Sequence, residues 1–276
     1  GIIFLIFFLF SAFIYNIKLS YLNILCISII LIIGLYDDYK GINPIIKLLS
    51  QLFVSLLIVI EYGYIFSENY FILFIILIIL IWYFNAFNFI DGINGFVTIN
   101  FMFSLFYLFL LSENLTNLNI MTLEFLFPFL LVFLFINIFG NYFMGETGSY
   151  FLSFIFLINC IDQIEIKDYW LLIFALLNFP IIDTSITLFN RILKTKYWFK
   201  AHRGHAYQNF ARLYGHNKML IIYVSYLFFY LSPLIILMSN SQDYNLIYFL
   251  LIILPSFFFC LFFGVFKTEK KFFYEK

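Results

Sequence analysis

Charge is what this sequence has least of. Asp, Glu, Lys and Arg make up only 11% of its 276 residues, and fifteen acidic side chains offset fifteen basic ones to a formal net charge of +0. Soluble domains carry about a quarter charged residues, so a fold bathed in water on every side is excluded. Without a basic excess there is no electrostatic case for a nucleic-acid partner. Cysteine is scarce as well. Cys26, Cys160 and Cys260 sit inside apolar runs with neither disulfide nor zinc spacing, where thiols act as small hydrophobes.

Apolar residues fill the place of charge: 64% of the chain is hydrophobic and 24% aromatic, with 43 Phe, for a mean hydropathy of +1.03. The apolar runs are continuous over about 15 to 20 residues, the length of a helical membrane crossing, and lack the alternating polarity of a transmembrane barrel. The sequence predicts an all-α, polytopic helical membrane protein, one integral membrane domain over residues 1–276. About ten spans are expected, near residues 1–15, 21–36, 45–61, 70–84, 96–112, 124–140, 150–161, 170–189, 219–238 and 246–266. Gly1 opens directly into a span, and a further N-terminal span is expected before it.

Alternating these spans with Gly1 inside puts Lys40, Lys47, Arg191, Lys194, Lys196, Lys200, Arg203, Arg212, Lys218, Lys267, Lys270, Lys271 and Lys276 on one side. Only Lys18 and Lys167 fall on the other. The positive-inside rule makes the first side cytoplasmic, as in a multi-pass protein of the cell inner (plasma) membrane. Four polar clusters share that side, near 37–47, 85–95, 141–149 and 190–218, and ionisable residues converging at span ends mark a functional site.

Asp37 and Asp38 are adjacent carboxylates at a span end, suited to a divalent cation or a proton, or else a solvated helix end. Lys47 and Gln51 stand one helical turn apart on the next segment. Asn85, Asn88 and Asp91 form a row of period three before Gly92 and Gly95, offering hard oxygens to Mg²⁺, a sugar or a phosphate; the plainer reading is a capped helix end. Gly145 and Gly148 flank Glu146 and Thr147 ahead of an apolar helix, a turn that exposes N–H groups to an anion or simply turns. His202, Arg203 and His205 read as a compact phosphate clamp, against the alternative of a paired-His zinc site. Asp183 follows Pro180 within a span.

Together the motifs Asp37-Asp38, Asn85-x-x-Asn-x-x-Asp-Gly-x-x-Gly95, Gly145-x-x-Gly-Ser149, Pro180-x-x-Asp183 and His202-Arg-x-His205 resemble the polyprenyl-phosphate N-acetylhexosamine-1-phosphate transferases, the membrane enzymes of glycosyltransferase family 4. The likeness covers nearly the whole chain, and the histidine loop looks closest to the branch that initiates O-antigen. The resemblance implies transfer of a sugar 1-phosphate from a UDP-N-acetylated amino sugar to polyprenyl (undecaprenyl) phosphate, releasing UMP and starting a cell-surface glycan. It implies Mg²⁺, with Mn²⁺ as a substitute, and the lipid bilayer and a second copy of the chain as partners. By the same resemblance Asp37, Asp38, Asp91 and Asp183 would be catalytic, and Asn88 and Glu146 would hold the metal. Lys47, Asn85, Gly145, His202, Arg203 and His205 would bind substrate. Glu146 stands where the family pattern has Asp, so an impaired enzyme or scaffold is the first rival. A cation-coupled transporter is the second, disfavoured because the ionisable clusters lie at span ends and not on broken mid-span helices.

Overall fold

The computed structural model describes residues 2–112, 114–140, 142–166, 170–194, 202–240 and 245–266. Every apolar run is helical, and no strand occurs among the described residues. The chain is a polytopic helical membrane protein. Seven helices are long and apolar enough to cross a bilayer, eight if one bent pair counts as a span. That is fewer than the ten expected. The runs at 1–15 and 96–112 form helices Ile2–Ile14 (α1) and Phe96–Leu110 (α5); at 15 residues and about 1.5 Å per residue, α5 falls short of a hydrocarbon core about 30 Å thick. Lys167, Lys196, Lys200, Lys267, Lys270, Lys271 and Lys276, on which the charge asymmetry partly rests, lie outside the described residues, as do Asn141 and the stretch 195–201 of two expected loops.

The described chain divides into two compact units, Gly1–Tyr169 and Trp170–Lys276. In the first, α1 is followed by Tyr21–Lys40 (α2), Pro44–Phe66 (α3), Tyr70–Phe89 (α4), α5, Asn117–Phe139 (α6) and Gly145–Ile166 (α7). Polar residues between the apolar runs set the boundaries. Ser20 accepts a hydrogen bond from Asn23 N, Asn43 from Ile45 N just before Pro44, and Asn69 from Phe71 N, each satisfying an N–H that the first helical turn leaves without a partner.

Helix α7 is the centre of this unit: 83% of its apolar window is buried, against 22–33% in α2, α3, α4 and α6. The outer spans turn side chains such as Ile32, Ile60 and Phe135 outward, as a lipid-facing surface requires. Since lipid is as apolar as a side chain, packing and polar contacts hold the helices together. The closest packing is α2 against α7. A Cβ on Gly34 would lie 2.7 Å from Thr147 Cα, so the missing side chain lets the two backbones touch. Farther along α7, the fully buried Asn119, Asn159 and Gln163 bond to one another, with Asn119 Nδ2 donating to Asn159 Oδ1 at 2.8 Å and Gln163 Nε2 to Asn119 Oδ1 at 2.6 Å.

The second unit contains Trp170–Leu176 (α8), Asn178–Lys194 (α9), Ala206–Tyr214 (α10), His216–Asn240 (α11) and Asn245–Val265 (α12). Between α8 and α9 the axis bends by 71°. Pro180 has no N–H for the carbonyl one turn back, and Asn178 Nδ2 donates to Ala175 O at 2.6 Å, so the break comes from proline and is closed by a side-chain amide. Pro128 in α6 and Pro233 in α11 likewise follow or close π-helical turns, Thr122–Leu126 and Tyr226–Leu231.

Candidate active site

In the first unit the C-terminal ends of α2 and α4 meet the N-terminal ends of α3 and α7, and this brings the sequence motifs together. Asp37, in the last turn of α2, accepts from Ile42 N through Oδ1 at 2.6 Å and from Lys47 Nζ through Oδ2 at 2.7 Å. The same ammonium reaches Glu146 Oε1 at 2.6 Å. Lys47 is thus a bridge between two carboxylates. Glu146 Oε2 is buried and has no hydrogen-bond partner.

Asp38, one residue on, does something different. Its Oδ1 accepts from Glu146 N at 2.8 Å, and its Oδ2 from Thr147 N at 3.1 Å and Thr147 Oγ1 at 2.5 Å. It caps α7 from a neighbouring helix, where a carboxylate also meets the positive end of the helix dipole. Gly145 makes the fit possible, with φ +73 and a notional Cβ only 2.8 Å from Asp38 Oδ2. Gly145, predicted to bind substrate, thus also lets Asp38 reach the cap.

Asp91 follows α4 in the turn before α5. It is half-exposed, its N–H donates to Asn88 O at 3.3 Å, its side chain makes no hydrogen bond or ion pair among the described residues, and it is crowded on its inner side. Burial, and then the negative charges of Asp38 and Glu146, push its carboxyl up to about 8. Asp37, Asp38, Glu146 and Asp91 therefore form one acidic cluster in which Lys47 is the bridging ammonium, and Asp91 keeps its proton near neutral pH.

Beneath this layer runs a chain of amides. Asn85 Nδ2 donates to Ile81 O at 2.8 Å and to Gln51 Oε1 at 2.6 Å; Gln51 Nε2 donates to Tyr150 Oη at 3.0 Å. Asn88 Nδ2 lies 3.5 Å from the same phenol, and Ser149 Oγ donates to Asn88 Oδ1 at 3.3 Å. Asn85 is thus committed to the protein interior, whereas Asn88 sits beside the first turn of α7. Ser50, Gln51, Phe84 and Tyr150 help line a cavity of about 10 Å³. Asn137 of α6 ties two loops to the site, accepting from Gly95 N and donating to Tyr142 O.

The second unit holds the remaining motif residues. Asp183, fully buried in α9, accepts from Ala206 N at 2.8 Å and from Thr187 Oγ1 at 3.3 Å, and its Oδ2 lies 3.5 Å from His205 Nδ1. It caps α10 while facing the imidazole that precedes it. His202 stacks on His205 with ring centroids 4.9 Å apart and accepts from Gly204 N at 3.1 Å. Burial, then the charges of His205 and Arg191, push the His202 pKa down to about 2, so this imidazole is neutral at physiological pH. Arg203 is exposed, and its carbonyl accepts from Arg212. The three residues read as one clamp divide into a buried imidazole stack and an outward guanidinium.

Sequence reasoning gave no role to Tyr150 and only a helical position to Gln51. Tyr150 looked like one more aromatic of a span; its signal is a phenol one turn after Glu146, in a segment too apolar to leave it unpartnered. No group of three His, Cys, Asp or Glu among the described residues forms a ready-made metal cage. The donors that suit a hard divalent ion are fewer: the unpartnered Glu146 oxygen, Asn88 Oδ1 and Asp91. Mg²⁺ commonly takes one or two protein carboxylates and fills its other positions with water and phosphate, so this sparse set fits it.

A family model described as Glycosyl transferase family 4 matches residues 20–164, more than half of the chain and all within the first unit. No curated protein matches the chain.

Proposed function

The chain belongs to glycosyl transferase family 4, whose members pass a sugar phosphate to a lipid carrier, and from that membership we propose a specific reaction. The donor is a UDP-N-acetylated amino sugar and the acceptor polyprenyl (undecaprenyl) phosphate, at the cytoplasmic face of the inner membrane. An oxygen of the lipid phosphate attacks the sugar-bearing phosphorus, the bond from that phosphorus to the bridging oxygen breaks, and UMP leaves. The product starts a cell-surface glycan. The observation that carries this reading is the surplus of carboxylates around Lys47, with one buried Glu146 oxygen unpartnered.

Glu146, Asn88 and Asp91 are the residues that would hold Mg²⁺ or Mn²⁺, which when bound neutralises phosphate charge as the bond order changes. The protein's own groups do the rest. Asp37 orients Lys47 toward a substrate phosphate, and Asp38 fixes the first turn of α7 so that Glu146 faces the cluster. In the second unit Asp183 holds the loop that presents Arg203, whose planar fork suits a phosphate.

Transfer of radiolabel from a panel of UDP-N-acetylated sugars to undecaprenyl phosphate, in membranes with and without a chelator, tests the proposal. One donor is expected to label the lipid fraction, and chelation to stop it. No labelled lipid with any donor, under conditions where a known family enzyme works, would overturn it.

A further inference from the structure

Lys47 is more tightly engaged than a residue waiting for substrate needs to be. Its ammonium lies 2.7 Å from Asp37 and 2.6 Å from Glu146, so it ties the end of α2 to the first turn of α7. It takes up only one Glu146 oxygen and leaves the other buried without a partner. A divalent cation at that free oxygen would stand beside the ammonium, and like charges so close repel strongly in a partly desolvated place. The two cations therefore compete for Glu146.

Lysine is suited to yielding. Its charge sits on a flexible four-carbon stem, unlike the rigid fork of arginine, and the side chain is still 21% exposed. A phosphate dianion that drew the ammonium aside would relieve the repulsion and leave Glu146 for the metal. We propose that Lys47 is the resident cation of this site, neutralising Asp37 and Glu146 until a substrate phosphate takes it over, so that metal and phosphate bind cooperatively. This rests on the reaction proposed above and adds an order to it: the metal site is completed by the substrate and does not precede it.

The test measures Mn²⁺ binding by electron paramagnetic resonance on the whole chain in detergent, independently of transfer activity. UDP and a short-chain polyprenyl phosphate serve as separate probes. In the wild type at least one should tighten Mn²⁺ binding by about tenfold, and Mn²⁺ should tighten that probe by the same factor, since coupling is reciprocal. The probe that does so identifies the phosphate Lys47 follows, donor or lipid. In Lys47→Met, Mn²⁺ alone should bind about tenfold more tightly than to the wild type, and the probe should add little. Lys47→Gln, which keeps a polar end, gives the same reading if the methionine variant does not fold. Equal or weaker Mn²⁺ binding in both variants would overturn the inference while leaving the proposed transfer intact. Failure of every protein to bind Mn²⁺, together with no transfer from any donor, would remove the proposed function and this inference with it.

Discussion

In the first unit one ammonium answers for Asp37 and Glu146, while burial and the charges of Asp38 and Glu146 hold the proton on Asp91; in the second, Asp183 has an imidazole at 3.5 Å and the N-terminus of α10 at 2.8 Å. The first arrangement leaves a buried carboxylate oxygen unpartnered and pushes Asp91 up to about 8. The second also has a carboxylate oxygen without a hydrogen bond, Asp183 Oδ2, but it faces the His205 imidazole at 3.5 Å, and a neutral His202 stacks over that ring. Like charges held together need something from outside, whereas an acid that caps a helix and faces a histidine holds a loop in place. The contrast sets acids that share one ammonium against an acid that faces a helix N-terminus and an imidazole.

The strongest way to break the contrast is Glu146→Gln. It removes the charge that faces both Lys47 and the open side of the cluster, and transfer should fall by on the order of 10³-fold with little change in melting temperature. A variant that keeps most of its turnover would place Glu146 among the positioning residues instead. In the second unit the reverse is expected. Asp183→Ala strands the Ala206 N–H in a buried place and should cost about 2 kcal/mol of stability, seen in thermal unfolding, with activity falling as the loop loosens. Asp183→Asn, which still accepts from Ala206, should recover most of that stability.

Asp38→Ala tests whether an acid of the first unit belongs with the positioning group. Loss of the cap on α7 should cost about 1 kcal/mol, and Asp38→Asn should restore part of it; unchanged unfolding in Asp38→Ala would return Asp38 to the reacting groups. The smallest effect concerns pH. Asp91 binds its proton up to about pH 8 in the folded chain but only to about pH 4 when unfolded. The folded state therefore holds more protons across that window, and metal-free stability should decline as pH rises from about 4 to about 8. Asp91→Asn should flatten that slope, and an identical slope in both proteins would show that the carboxyl is not under the strain described.

The helices were legible because apolar length is a local property, and Pro44, Ser20 and Asn69 announce where α3, α2 and α4 begin. The span count was less so: α5 reads as a crossing from hydropathy but is 15 residues long, and the polar Gly145–Ser149 turn hid the first turns of α7. In the site, Asp37, Asn88, Asp91 and Glu146 were visible as acids and amides at span ends. Which of two adjacent aspartates would cap a helix more than a hundred residues away was not, because that depends on where α7 lies. His202 and His205 share a short motif with Arg203, yet burial sorts them apart, and a motif carries no record of burial. Tyr150 was hidden by composition: among 21 Tyr and 43 Phe, one phenol with an assigned partner does not stand out.

The contact at Gly34 controls how two helices bring the acids together. Even a methyl there meets the Thr147 backbone at 2.7 Å, and the helix it would displace carries Glu146 and the cap from Asp38. A chain with a side chain at this one site would keep its hydropathy, its loops and every acid of the cluster while losing their alignment. Position 34 therefore separates alignment from composition: a side chain there would push the first turn of α7 away from Asp38 while leaving every acidic residue of the cluster in the sequence.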